Sequence, residues 1–223
     1  MKHILIITGG ALNLEFAHEY CETLSADKVF AVDKGLEYAH QLGFLPDYII
    51  GDFDTVDNEL LEAYKDRIEK EGLPVHIKSY PVKKDASDTE LAVERAIGEN
   101  PDKITILAAT GSRLDHVLAN LGLLLQVAEK AIECWIVDEN NRVRLLMSGD
   151  ECHIGKREQH GKYLSLIPLT PVVKGLTITG VMYPLTDRTI RQGSSFTISN
   201  KITEEQAVIK VADGTLLVIE SRD

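Results

Sequence analysis

The succession of hydrophobic periods is what most restricts how this chain can fold. Up to residue 137, short apolar runs of strand length alternate with segments whose apolar residues recur at helical spacing. Strands are predicted at 3–8, 28–32, 48–50, 75–78, 103–108 and 133–137, most of them closed by turn residues such as Gly9-Gly10 or Asp33-Lys34-Gly35. Between them, helices are predicted over 14–24 (Leu14, Ala17 and Cys21 on one face), 36–42 and 59–70. Another follows the capping-box pattern Ser87-x-x-Glu90, burying Leu91, Val93 or Ala92, and Ile97. The last carries Leu114, Val117, Leu118, Leu121 and Leu125 at helical spacing. Such alternation predicts an α/β fold with a mostly parallel, Rossmann-like sheet covered by helices on both faces. In these sheets ligands bind beyond the carboxyl ends of the strands.

The pattern changes near Val143. Short β-prone pieces follow at 163–168, 175–179, 189–191, 194–199, 206–211 and 216–220, punctuated by glycine and proline. They predict a second, antiparallel β-sandwich domain, with the chain divided into 1–142 and 143–223.

Polar chemistry gathers at the predicted strand ends. Gly51-Asp52-Phe53-Asp54-Thr55 follows the third strand, Asp85-Ala86-Ser87-Asp88 precedes a helix, and Gly111-Ser112-Arg113-Leu114-Asp115-His116 follows the fifth strand. Asp33 likewise follows the second. Clustered carboxylates repel one another unless a cation sits between them. Acidic turns joined by an arginine therefore suit a Mg²⁺–polyphosphate site. Asp52 and Asp54, two apart, would point to one side of a strand that continued past the sheet edge. Structural duties compete with these roles: Asp57 or Asn58 can cap the next helix, Ser87 or Asp88 the one after, and Asp115 suits a first helical turn. His116 and Asn120 share a helical face. Arg113 can hold a phosphate in a forked contact. Gly9-Gly10 permits close backbone approach to a phosphate, although neither a Gly-x-Gly-x-x-Gly nor a Gly-Lys-Ser/Thr loop is present. Cys152-His153 with His160 lacks a zinc spacing and reads as loop polarity. Tyr183, beside Pro184, reads as packing or as a ring that stacks, and Ser199-Asn200 as a turn.

The formal net charge of −11 argues against a general nucleic-acid binder. Three cysteines, far apart and with no Cys-x-x-Cys, fit a reduced cytoplasmic setting. The apolar run at 3–7 is short for a signal peptide, and no run approaches a bilayer span.

Taken together, Val32-Asp33-Lys34-Gly35, Gly51-Asp52-Phe53-Asp54, Asp85-Ala86-Ser87-Asp88, Gly111-Ser112-Arg113-Leu114-Asp115-His116, Gly180-Val181-Met182-Tyr183-Pro184-Leu185, Gly193-Ser194-Ser195 and Ile198-Ser199-Asn200 resemble thiamine pyrophosphokinase, in that family's order and over almost the whole chain. The resemblance implies a catalytic α/β domain, a thiamine-binding β-sandwich and a homodimer. It also implies transfer of pyrophosphate from ATP to the thiamine hydroxyl, giving thiamine diphosphate and AMP. On it, Asp52, Asp54 and Asp85 would hold Mg²⁺ and the polyphosphate. Asp33, Asp88, Arg113 and Asp115 would line the same cleft, with Asp85, Arg113 and Asp115 as the catalytic positions and His116 among those meeting substrate. Ser199 and Asn200 match the segment that meets the thiamine pyrimidine, and Tyr183 stands where the family commonly has a tryptophan. Lys34, Ser87 and Ser112 depart from the usual glycine, threonine and glycine. Two rivals stand beside this reading. Asp52-Phe53-Asp54-Thr55-Val56 looks like the nucleophile motif of a haloacid-dehalogenase-type phosphatase, though it follows the third strand rather than the first. The other rival is a nucleotide-binding regulatory module without turnover. On the resemblance, Asp54→Asn is expected to leave the fold intact and lower turnover at least about a hundredfold, measured at saturating Mg²⁺; near-normal turnover would remove Asp54 from the site.

Overall fold

Four consecutive apolar side chains, Ile4, Leu5, Ile6 and Ile7, have no exposed surface in the computed structural model, which describes residues 1–81 and 85–223. They form β1, His3–Ile7, at the centre of a parallel sheet. Burying each contributes about 1.5–3 kcal/mol, which is why a strand covered on both faces reads as a continuous apolar run. The first of two compact units, Met1–Glu139, continues with α1 (Leu14–Glu22), β2 (Lys28–Val32), α2 (Gly35–Gln41), β3 (Tyr48–Gly51) and α3 (Asn58–Glu71). It is completed by β4 (His76–Ser79), α4 (Asp88–Ile97), β5 (Lys103–Leu107), α5 (Leu114–Ala128) and β6 (Glu133–Val137). Its strands lie in the order β4-β3-β2-β1-β5-β6, every pair parallel. The chain winds outward from β1 to β4, then returns to lay β5 on the other side of β1. That reversal is the topological switch point of a doubly wound sheet.

The helix starts follow their capping residues. Asn13 accepts from the Phe16 amide at 3.2 Å, Asp57 from Glu59 at 2.9 Å, and Ser87 from Glu90 at 3.2 Å. α4 buries Ala92 and Val93, as periodicity selects, together with Ala96, while Leu91 and Ile97 are half-buried. α5 buries Asn120, Leu123, Leu124 and Val127, leaving Leu114, Leu118 and Leu125 exposed. A helix apolar almost all round has no single stripe to orient it, so its tertiary bonds decide.

The second unit, Asn140–Asp223, is all β. β7 (Asn141–Leu146), β13 (Leu216–Ser221) and β9 (Tyr163–Pro168) pair antiparallel, with β13 in the middle. A second antiparallel sheet runs in the order β11 (Leu185–Arg191), β10 (Val172–Thr179), β12 (Gln206–Lys210), β8 (Glu151–Gly155). Both sheets contribute to one core that includes Leu146, Ile154, Leu164, Leu166, Ile178, Ile209 and Val218. The fold thus combines helix-covered parallel strands in the first unit with antiparallel strands in the second, four of which form their own sheet.

The second unit also departs from expectation: β7 and β8 are strands that periodicity does not predict, 194–199 is not one, and β10 and β11 start earlier than expected. Cys152 and His153 lie in β8, where Cys152 and Ile154 are buried and Glu151 and His153 are exposed, so their polarity is that of a half-buried strand and not of a loop. The β-prone segment 194–199 is not a strand: Ser194 Oγ accepts from the Phe196 amide at 3.2 Å, and Thr197 Oγ1 donates to Leu166 O at 2.7 Å. These side-chain bonds supply the backbone with an alternative to a ladder. β10 is longer than expected and shifts register between Val173 and Leu176, around Gly175. Among the described residues no helix is long and apolar enough to cross a membrane.

One polar cluster ties the amino ends of the strands. Glu99, just past α4, accepts from Lys28 Nζ at 2.8 Å and Lys2 Nζ at 3.1 Å and pairs with Arg95. The Arg95 guanidinium lies 4.6 Å from the centre of the Tyr48 ring. The hydrogen bonds from Lys28 and then Lys2 pull the Glu99 carboxyl down to about 2. A depressed folded pKa means the stabilisation is present above the ordinary carboxylate range and is lost as pH falls toward about 2. Glu99→Gln is therefore expected to cost about 1–2 kcal/mol in urea unfolding at pH 7, with the difference from the parent shrinking as the pH is lowered through that window.

Candidate active site

The carboxyl rim of the parallel sheet is built from backbone bends. β2 ends at Val32, and Asp33 takes a left-handed conformation (φ 47°) while its amide donates to Ile50 O at 3.0 Å. Phe53 (φ 63°), just past β3, and Ala108 (φ 56°), just past β5, do the same. A side-chain-bearing residue in that region costs on the order of 1 kcal/mol, and such residues cluster where strain serves a site.

These bends decide which acids meet. Asp33, Asp52 and Asp88 each place one carboxylate oxygen within 4.8 Å of the others. Asp33 and Asp52 come from the ends of β2 and β3, and Asp88 opens α4, whose N-terminal dipole favours negative charge. The donor set fits a hard divalent cation. All three ligands are oxygens, and octahedral Mg²⁺ at about 2.1 Å separates its ligands by about 3–4 Å. Gly51 makes the approach possible: a Cβ there would lie 1.8 Å from Asp33 Oδ1.

Of the three expected metal ligands, only Asp52 lies in this triad. The chain leaves the extended conformation at Phe53, so Asp54 does not continue the strand. Its amide instead turns back to Asp52 Oδ1 at 3.2 Å, and Asp54 is exposed. Asp85 lies three residues ahead of α4 and is exposed too. Asp33 and Asp88, expected only to line the cleft, join Asp52. Their strand-end and helix-start positions were readable in the sequence; the closing distance was not.

Beyond β1, the turn after β5 is tied at three successive carbonyls. Ala108 O accepts from the Gly10 amide at 2.8 Å, Ala109 O from Asn120 Nδ2 at 2.8 Å, and Thr110 O from the Ala11 amide at 2.8 Å. A Cβ on Gly10 would lie 2.2 Å from Ala108 O, so this glycine is required by the neighbouring turn. The tied turn delivers Arg113 to the head of α5. There its guanidinium grips Asp115 in a fork, at 2.7 and 3.3 Å. Arg113 holds the Asp115 carboxyl down to about 2. His116, in the first turn of α5, is exposed. β2 and β5 flank β1, so the turns that lead to Asp33 and to Arg113 leave the same rim from strands about 10 Å apart.

In the second unit Tyr183 is 64% exposed, whereas Asn200 is 7% exposed. Asn200 Oδ1 accepts from the Tyr183 amide at 3.0 Å, and Asn200 Nδ2 donates to Tyr183 O at 2.9 Å. Ser199 is left-handed (φ 56°), and its amide donates to Ser165 Oγ at 2.9 Å.

Carboxylates closing on a strand-end rim, with a fork-capable arginine further along it, suit the class of enzymes that transfer phosphoryl groups. Comparison with known proteins agrees. The family "Thiamin pyrophosphokinase, catalytic domain" matches residues 22–136, and "Thiamin pyrophosphokinase, vitamin B1 binding domain" matches 151–216. A thiamine pyrophosphokinase of Bacillus subtilis is 32% identical over the full length of both chains. A crystal structure of thiamine pyrophosphokinase from that organism superposes with a TM-score of 0.86 at 31% identity, covering 100% of both chains. One of thiamin pyrophosphokinase from Geobacillus thermodenitrificans does so at 0.81 and 30% identity, covering 99% of this chain and 98% of the other. The chain belongs to the thiamine pyrophosphokinase family, a group of kinase-type diphosphotransferases. Neither the phosphatase reading nor the non-catalytic one is favoured: two matched families account for both units, including the β unit that a dehalogenase-type fold leaves unexplained.

Gly51→Ala tests the triad. The added methyl is expected to displace the Asp33 carboxylate and weaken Mg²⁺ binding about 10–100-fold in calorimetric titration of the protein without substrates. Unchanged affinity would remove Asp33 from the ligand set.

Proposed function

We propose that the chain catalyses attack of the thiamine hydroxyl on the β-phosphorus of ATP, in line with the departing α-phosphate oxygen, so that AMP leaves and thiamine diphosphate forms. The observation that carries this reading is the convergence of Asp33, Asp52 and Asp88 on one rim. Asp33, Asp52 and Asp88 would hold a divalent cation, which would neutralise charge on the polyphosphate. Asp54 and Asp85, exposed beside the triad, are assigned to the same cation and polyphosphate through its surrounding contacts. Arg113 uses two of its five N–H donors on Asp115 and keeps others for the charge that grows on the leaving phosphate. Asp85 and Asp115 are the two candidate acceptors of the hydroxyl proton, and the fork with Arg113 lowers the proton affinity of Asp115. His116 is assigned to the polyphosphate side of the cleft. Tyr183 is assigned to thiamine, whose flat cationic ring suits an exposed aromatic face, and Ser199 and Asn200 to the segment that presents it.

The homodimer is part of the same proposal. Leu114, Leu118 and Leu125 fall on one stripe of α5 and are 67%, 60% and 41% exposed, which supports burial against a second copy. Cys21, Cys134 and Cys152 form no disulfide among the described residues, which supports a reducing, cytoplasmic setting.

The deciding experiment assays AMP release from ATP with Mg²⁺, with and without thiamine. AMP formation is expected only when thiamine is present, in equal amount to thiamine diphosphate. Free phosphate from monoesters, or ATP binding with no AMP formed on any acceptor, would overturn the reading.

A further inference from the structure

We propose that Asn200 is a positioning residue: it fixes the Tyr183 ring for the acceptor and makes no contact with the acceptor itself. This rests on the assignment of Tyr183 to thiamine above.

The case starts from the bonding capacity of one amide side chain. Asn200 Oδ1 accepts twice, from the Tyr183 amide at 3.0 Å and the Lys201 amide at 2.9 Å. Both lone pairs are then in use. Asn200 Nδ2 donates to Tyr183 O at 2.9 Å. The side chain thus meets the Tyr183 backbone at both its donor and its acceptor, as a facing peptide group in an antiparallel ladder would. It does so where the real ladder stops. Val181 bridges Ile202 and the Met182 amide donates to Lys201 O at 2.8 Å, but the next pairing is made by the Asn200 side chain.

Asn200 can do this because its own backbone is anchored elsewhere. Its amide and carbonyl exchange hydrogen bonds with Leu164 of β9, both at 2.9 Å. The left-handed turn at Ser199, tied to Ser165, sets the direction in which the amide projects. The position of a core strand is thereby passed to an exposed ring. Met182, Tyr183, Phe196 and Ile198 are all more than 45% exposed around this tether, so packing alone does not hold the ring. With only 7% of its surface accessible, Asn200 has little to offer a ligand directly.

The test uses Asn200→Ala, Asn200→Asp, Tyr183→Ala and the Asn200→Ala/Tyr183→Ala pair in the full chain, each checked for folding by thermal unfolding. Two readouts are taken: hydrogen exchange at the Tyr183 amide, and KM for thiamine and for ATP. Asn200→Ala is expected to speed exchange at Tyr183 and raise the thiamine KM, each about tenfold, with the ATP KM unchanged. Asn200→Asp, which keeps the acceptor and loses the donor, should fall between Ala and the parent and serves if the alanine variant does not fold. The double variant should be no worse than Tyr183→Ala alone, because a residue acting through the ring loses its effect once the ring is gone. Effects that multiply would put Asn200 on thiamine directly and overturn the proposal. Unchanged exchange at the Tyr183 amide would overturn the tether. A normal thiamine KM in Tyr183→Ala would instead refute the assignment of Tyr183 to thiamine, while the exchange measurement still judges what Asn200 holds.

Discussion

Double-sided burial of the central strands governs the first unit. β1, β2, β3 and β5 are closed to water along their apolar length, so a polar side chain there needs a partner, as His3 and Thr105 find in each other at 2.9 Å. Charge is displaced to the strand ends. At the amino ends it forms the Lys2–Lys28–Arg95–Glu99 cluster, where opposite charges satisfy each other. At the carboxyl ends it forms Asp33, Asp52 and Asp88, where like charges meet. The first arrangement ties the fold together. At the second, a cation bound as proposed would offset the repulsion between the three carboxylates.

Backbone conformation turns strand ends into a site. Left-handed bends at Asp33, Phe53 and Ala108 each stop a strand and redirect the next side chain. The bend at Phe53 brings the Asp54 amide onto Asp52 and turns Asp54 outward. The bend at Ala108 begins a turn whose carbonyls are taken by Gly10, Ala11 and Asn120, which leaves Arg113 at the head of α5. The second unit uses a related device, with a left-handed serine aiming a buried amide that holds an exposed tyrosine. In each case local strain on the order of 1 kcal/mol is set against hydrogen bonds, and the bonds win.

The strand–helix order, the positions of β1, β2, β5 and β6, and the capping residues Asp57 and Ser87 were legible in the chain itself. They depend on local periodicity and on side chains bonding within three residues. The motif set identified the family for the same reason, since its pieces are contiguous and ordered. β8 was missed because Glu151 and His153 on its exposed side disguised a two-residue alternation that Cys152 and Ile154 carry. The segment 194–199 was misread because β-prone residues found side-chain partners in place of a ladder.

What the chain alone determined is therefore the class of sheet, the rim on which chemistry gathers, and the acids available there. What only the tertiary structure decided is which acids close on one another, which face α5 buries, and that the Asn200 amide is bound to the Tyr183 backbone. The physical reason is range. Periodicity and capping act over a few residues, whereas Asp33 meets Asp88, and Asn200 meets Tyr183, only after strands far apart in the chain have been aligned by a shared core.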